Sequence, residues 1–165
     1  MSISDPGTYL ATITTQLTTM IAQLATLSSS AVDGTPDTDH TAMGPQTDTF
    51  AAGAAITVMD LVYMGNVSKW LASDANAAST STGLLGISLA TKVDTQLMNT
   101  ALPGTFVRDD TWNWTPGAIL YVSETASAIT ATEPPTVGAI SRIIGYAVTA
   151  DVIWFDPDTT WLIVA

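Results

Sequence analysis

The chain has 165 residues, 47% hydrophobic and 12% charged, with 15 acidic residues against 4 basic ones for a net charge of −11. Charged residues are about half of the ~25% usual in soluble proteins, so a lone monomer would struggle to cover itself, and homo-oligomerisation is expected. The acidic field repels phosphate, which disfavours nucleic acid and anionic membranes as partners, and the absence of cysteine excludes disulfides, thiolate zinc sites and cysteine nucleophiles.

The opening "MSISDPG" lacks a basic region, so no secretory signal is expected. Asp5 and Pro6 make a good helix start, a carboxylate cap followed by a residue whose fixed φ suits the first turn. Leu10, Ile13, Leu17, Met20, Leu24 and Leu27 then recur at alternating spacings of three and four, an a/d seam with Leu at every a position. The other faces are mostly Thr, Gln, Ser and Ala, and no charge lies between Asp5 and Asp33. A Thr-rich helix of this kind is marginal alone in water, so something must pack on its seam. Two partners fit: the chain's own domain, or copies of the same helix in a short coiled coil. The narrow stripe favours the second, and the six seam residues are the expected oligomer interface, with a trimer as the expected state.

Residues 33–49, containing "DGTPDTDHTAMGPQTD", combine Gly, Pro and Asp without periodicity and read as a linker or extended arm. Asp33, Asp37, Asp39 and His40 match neither a calcium loop nor a zinc spacing, so a solvated segment is expected and no metal site or cofactor is assigned.

From residue 50 to 165 the pattern is β. "AAITVMDLVYM" is rich in branched and aromatic residues, and "NVSKWLA" is expected to turn and pair with it. Asp60 interrupts this best apolar run, and no run approaches the ~20 residues needed to span a bilayer. "SDANAASTSTG" reads as a polar loop and "LLGISLA" as a nearly continuous apolar strand. Strands follow in "LPGTFVRDD", "WTPGAILYVSE" and "AITAT". "EPP" closes an edge, and "AISRIIGYAV", "DVIWF" and "WLIVA" complete the series. Many short strands between Gly/Pro turns predict a mainly β fold, a small antiparallel β-barrel or sandwich preceded by an N-terminal α-helix. The predicted organisation is an oligomerisation helix over 1–32, an arm over 33–49 and a β domain over 50–165.

Reactive constellations are scarce. His40 is the only histidine. Ser88 in "GISLA" lies near a nucleophile-elbow frame, but Ala90 replaces the second glycine and the strand–turn–helix context is absent. The carboxylate pairs Asp109/Asp110 and Asp156/Asp158 flank apparent turns, where Asp caps backbone amides. No catalytic residue is assigned, and an enzyme is not expected. Trp112 and Trp114 in "DDTWNWTPG" stand two apart, so on a strand they share a face. They are a possible surface or subunit contact, or part of the core.

The series "AGAAITVMDLVYM…SKWLASDA…GLLGIS…LPGTFV…WTPGAILYVSETASAIT…P…SRIIGYAV…IWFDPD" resembles a small β domain recurrent in tailed-phage structural proteins, notably capsid decoration (cement) and head-fibre proteins. The resemblance covers roughly Ala52 to Pro157. It implies a virion protein made in the host cytoplasm that sits on the outer capsid surface as a homotrimer, with the major capsid protein as its partner. A tail-fibre or receptor-binding module that stacks host glycan on Trp112 and Trp114 is the competing expectation.

Overall fold

A computed structural model describes residues 6–32 and 34–165, with side chains described for 10–23 and 34–165. The chain divides into two units, Met1–Gly34 and Thr35–Ala165. The first contains one helix, α1 (Pro6–Val32). The expected Asp5 cap, like Asp33, lies outside the described residues. Within α1 the hydroxyls of Thr14, Thr15, Thr18 and Thr19 donate to the carbonyls of Leu10, Ala11, Thr14 and Thr15, four residues back, at 2.9–3.0 Å. Four threonine hydroxyls of this helix are thus satisfied within the helix itself.

The second unit is built from two six-stranded sheets and a strand pair. The first sheet has the order β1 (Thr41–Met43), β8 (Thr105–Arg108), β13 (Val152–Phe155), β12 (Ile143–Ala147), β9 (Ile119–Val122) and β10 (Ile129–Thr130), every neighbour antiparallel. The second has the order β2 (Gln46–Thr47), β7 (Thr100–Ala101), β6 (Leu85–Ser88), β4 (Leu61–Met64), β5 (Lys69–Ala72) and β3 (Ala51–Ala52). Only β3 and β5 run parallel in it. β11 (Ile140–Ser141) pairs with β14 (Leu162–Ile163). The fold is mainly β and sandwich-like, with no closed barrel among the described residues. No described helix is long and apolar enough to cross a membrane.

Leu61, Leu85, Ile87 and Ala101 of the second sheet pack with Val107, Leu120, Val122, Ile144, Ile153 and Phe155 of the first in the main core. A smaller core of Ala52, Ile56, Val62, Trp70 and Met98 covers the other side of the second sheet. That is why "LLGISLA" reads as a continuous apolar run: all four residues of β6 are buried. Gly86 is required there, because a Cβ would stand 2.5 Å from the Thr100 methyl and 3.1 Å from the Ala101 carbonyl oxygen.

Three stretches depart from expectation. Residues 41–43 and 46–47, expected within a linker or extended arm, pair with β8 and β7, so the stretch from Thr35 belongs with the β unit. Their Thr, Ala, Met and Gln carry no strand period, so only distant partners reveal them. "AAITVMDLVYM" supplies a strand only from Leu61, because Asp60 accepts the Thr57 amide at 2.8 Å and closes a turn before it. The polar loop "SDANAASTSTG" holds a short helix, α2 (Ala78–Ser81), fastened by Thr80 Oγ1 to the Asp74 carbonyl at 2.6 Å and Ser73 Oγ to the Thr80 carbonyl at 2.9 Å.

Candidate functional site

The residues expected to form an oligomer interface lie on helix α1. Leu10 is 63% exposed, Ile13 43%, Leu17 55% and Met20 64%. Leu24 and Leu27 belong to the same helix, but their side chains lie outside the described residues. Ile21, one position beyond Met20, is 60% exposed and widens the stripe. Large aliphatic groups in a row, with no charged residue among positions 10–23, offer shape and apolar area and no reactive chemistry.

Trp112 and Trp114 lie in the loop between β8 and β9, not on a strand, so their spacing does not set a shared face. They nevertheless meet, with ring centroids 6.0 Å apart and planes at 54°. Both are half-buried and pack against the main core. The Trp114 indole N–H is buried without a hydrogen-bond partner. The Trp112 amide donates to the Asp109 carbonyl at 3.1 Å and the Trp114 amide to the Ala150 carbonyl at 2.9 Å. Their surroundings are those of side chains that close one end of the core.

His40 is drawn into a cluster that spacing alone does not show. Its Nδ1 lies 3.5 Å from Asp39 Oδ2 and its Nε2 3.8 Å from Asp109 Oδ1. Asp39 Oδ1 accepts the Asp110 amide at 2.8 Å. Asp109, 5% exposed, accepts the Thr111 amide at 2.8 Å and its hydroxyl at 2.7 Å. These three side chains are the one group among the described residues with metal-ligand types within 4.8 Å of one another. The carboxylates already serve backbone amides, so the cluster ties the start of β1 to the turn after β8. Asp37 instead accepts the Thr38 hydroxyl at 3.1 Å.

The remaining candidates are structural. Ser88 is fully buried, and its hydroxyl donates to the Ala90 carbonyl at 2.8 Å. Asp158 contributes its backbone carbonyl, which accepts Arg142 Nε at 2.8 Å. Arg142, 6% exposed, also donates through one terminal nitrogen to the carbonyls of Ser81 and Gly83, both at 2.7 Å. Burial pulls its pKa below the usual arginine value, and the nearby Asp158 charge opposes that shift. Two of the three carbonyl partners of Arg142 lie about 60 residues away, and a backbone carbonyl carries no side-chain signal that a sequence could show.

Lys69 pairs with Asp94 at 2.8 Å and Arg108 with Asp110 at 2.6 Å. No protein-family model, curated protein or solved structure matches this chain.

Proposed function

We propose that this protein is a virion structural component that self-associates through its N-terminal helix and decorates the outer surface of a tailed-phage head, where it stabilises the shell. The observation that carries the reading is the uncharged a/d seam of α1, whose described members are 43–64% exposed in a single chain. A helix of this composition holds its form best when its stripe is covered by identical stripes. The β unit supplies a scaffold of short antiparallel strands, and the resemblance of Ala52–Pro157 to decoration and head-fibre proteins supplies the setting. Many copies, each adding a modest contact, reinforce a shell through multivalency without any reactive residue. The surplus of acid suits an outer layer and not a DNA-facing one.

Cosedimentation with undecorated shells of the encoding phage tests this reading. Saturable attachment of an oligomer, with raised resistance of the shells to heat or chelator, is the expected result. A monomer that ignores shells refutes it. Saturable glycan binding lost in Trp112→Ala assigns adhesion instead.

A further inference from the structure

The first sheet has a second apolar face. Cross-strand register places Ile119 opposite Tyr146, Tyr146 opposite Trp154, Trp154 opposite Phe106, and Phe106 opposite Met43. Directly opposed residues share one side of a sheet, so these five side chains form a row across β9, β12, β13, β8 and β1. Their strand neighbours Leu120, Ala147, Ile153 and Val107 are buried, so the row lies on the outer side. Ile119 is 39% exposed and Tyr146 46%, while the other three are half-buried. Phe106 and Trp154 pack with ring centroids 4.6 Å apart and planes tilted by 58°.

An antiparallel sheet with one side in water ordinarily alternates apolar-in with polar-out. The second sheet has both sides covered by its own chain and is apolar on both. The first sheet is written the same way, in "AILYV", "IIGYAV" and "VIWF", with only its inner side covered by the main core.

We propose that the outer side of the first sheet is a second self-association surface, on which the same side of another copy packs about a two-fold axis near Trp154. Three observations select a second copy. The row contains no charge, and its corner cation Arg108 is already matched by Asp110 at 2.6 Å and Asp151 at 3.8 Å. A chain of net charge −11 repels its copies wherever carboxylates face each other, and this row lets two approach. The row is also nearly symmetric about its centre: aliphatic, aromatic, Trp154, aromatic, aliphatic. A two-fold there sets Tyr146 against Phe106 and Ile119 against Met43 of the second copy, as an isologous contact requires. Finally, the face is broad enough. Five strands span roughly 20 Å, and beyond Ile119 it continues through Tyr121 and Ile143 into an open groove with Trp161 and Leu162, where Glu133 and Asp158 bring the first carboxylates to its rim. Two such faces together bury on the order of 1,200 Å², the lower bound of a specific interface.

The residues of this contact all belong to the second unit and none to α1, so the two contacts can be tested by separate substitutions. In full-length protein carrying Leu17→Asp and Met20→Asp, sedimentation should give a dimer. Adding Ile119→Thr and Tyr146→Thr, which keep strand-forming side chains, should give a monomer with an unchanged near-ultraviolet spectrum. The two threonine changes alone should leave only the helix-driven species. A second measurement does not depend on those variants folding. The chain lacks cysteine, so Tyr146→Cys introduces a unique thiol. At assembly concentration its maleimide labelling should be slower than that of Val67→Cys by about tenfold or more, and dilution should abolish the difference. A monomeric helix variant, equal labelling at all concentrations, or protection that survives dilution in a monomer would overturn the proposal.

Discussion

Leu17→Asp tests the helix seam most directly. Leu17 keeps 55% of its surface exposed in a single chain. Full burial of a leucine contributes about 1.5–3 kcal/mol, so covering that remaining half stabilises an oligomer by roughly 1–1.5 kcal/mol per copy. Aspartate removes this contribution and brings like carboxylates together in a desolvated seam, which adds about 2 kcal/mol or more per copy. The sum, about 3 kcal/mol, corresponds to a factor of roughly a hundred in association for each copy. Sedimentation equilibrium should therefore show a clear loss of mass at micromolar protein. Far-ultraviolet circular dichroism should show lost helix, because the uncovered helix is marginal in water. Thr15→Asp is the control: Thr15 stands on the side of α1 away from the seam and should leave the mass unchanged. Acid should partly restore the Leu17→Asp oligomer, since a carboxyl in an apolar seam has a raised pKa and is neutral at low pH. Wild-type mass in Leu17→Asp, or equal dissociation by Thr15→Asp, would refute the seam.

Three further outcomes follow from the β unit. Arg142→Met should cost about 3 kcal/mol in urea unfolding, because the carbonyls of Ser81, Gly83 and Asp158 lose a buried donor; Arg142→Lys should recover only part, as an ammonium lacks the guanidinium fork. Gly145→Ala should cost about 3 kcal/mol or more by thermal melting: Gly145 has φ 150° at the β12 bulge, and a Cβ there would stand 1.9 Å from the Trp154 carbonyl oxygen. Asp60 has its pKa raised by burial, opposed by its hydrogen bonds to the Thr57 amide and the Ser127 side chain. A raised folded-state pKa contributes stability below the unfolded value of 3.8, and that contribution is lost as pH rises through the folded value. Asp60→Asn should therefore gain stability relative to wild type at neutral pH, and the gain should vanish in acid; pH-dependent urea titrations check the crossover.

Elements with a strong period were legible. The three-and-four spacing of Leu10 to Leu27 gave α1, and the unbroken apolar run "AILYV" behind the Pro-Gly turn gave β9, because each pattern is carried by the element's own residues. β1, β2 and β3 were not legible, since strands of two or three residues have no room for a period and are fixed by partners far along the chain, Thr41 by Arg108 and Gln46 by Ala101. The His40 cluster was hidden for the same reason: Asp39 reaches the Asp110 amide across 71 residues. The apolar seam of α1 could be named residue by residue, whereas the outer row of the first sheet could not. Its five members come from five strands, and only register aligns them.

Register also explains where the missing charge belongs. Residues 10–23 of α1 carry none, and neither does the row from Ile119 to Met43. Three of the four cations are taken up within the fold: Arg142 is buried among carbonyls, while Lys69 and Arg108 are matched by carboxylates. The carboxylates gather instead at turns, as Asp60, Asp74, Asp94 and Asp109 do, where they accept backbone amides or pair with cations. Low charge is therefore concentrated in two faces and not diluted over the whole surface. A chain selected merely for a bland exterior would have placed Thr or Ser at Tyr146 and Trp154, which keep strand propensity at no cost in exposed apolar area. Aromatic groups persist there for a reason that concerns a second molecule: desolvating them is favourable only when another surface arrives, and a neutral, nearly symmetric row is best matched by itself.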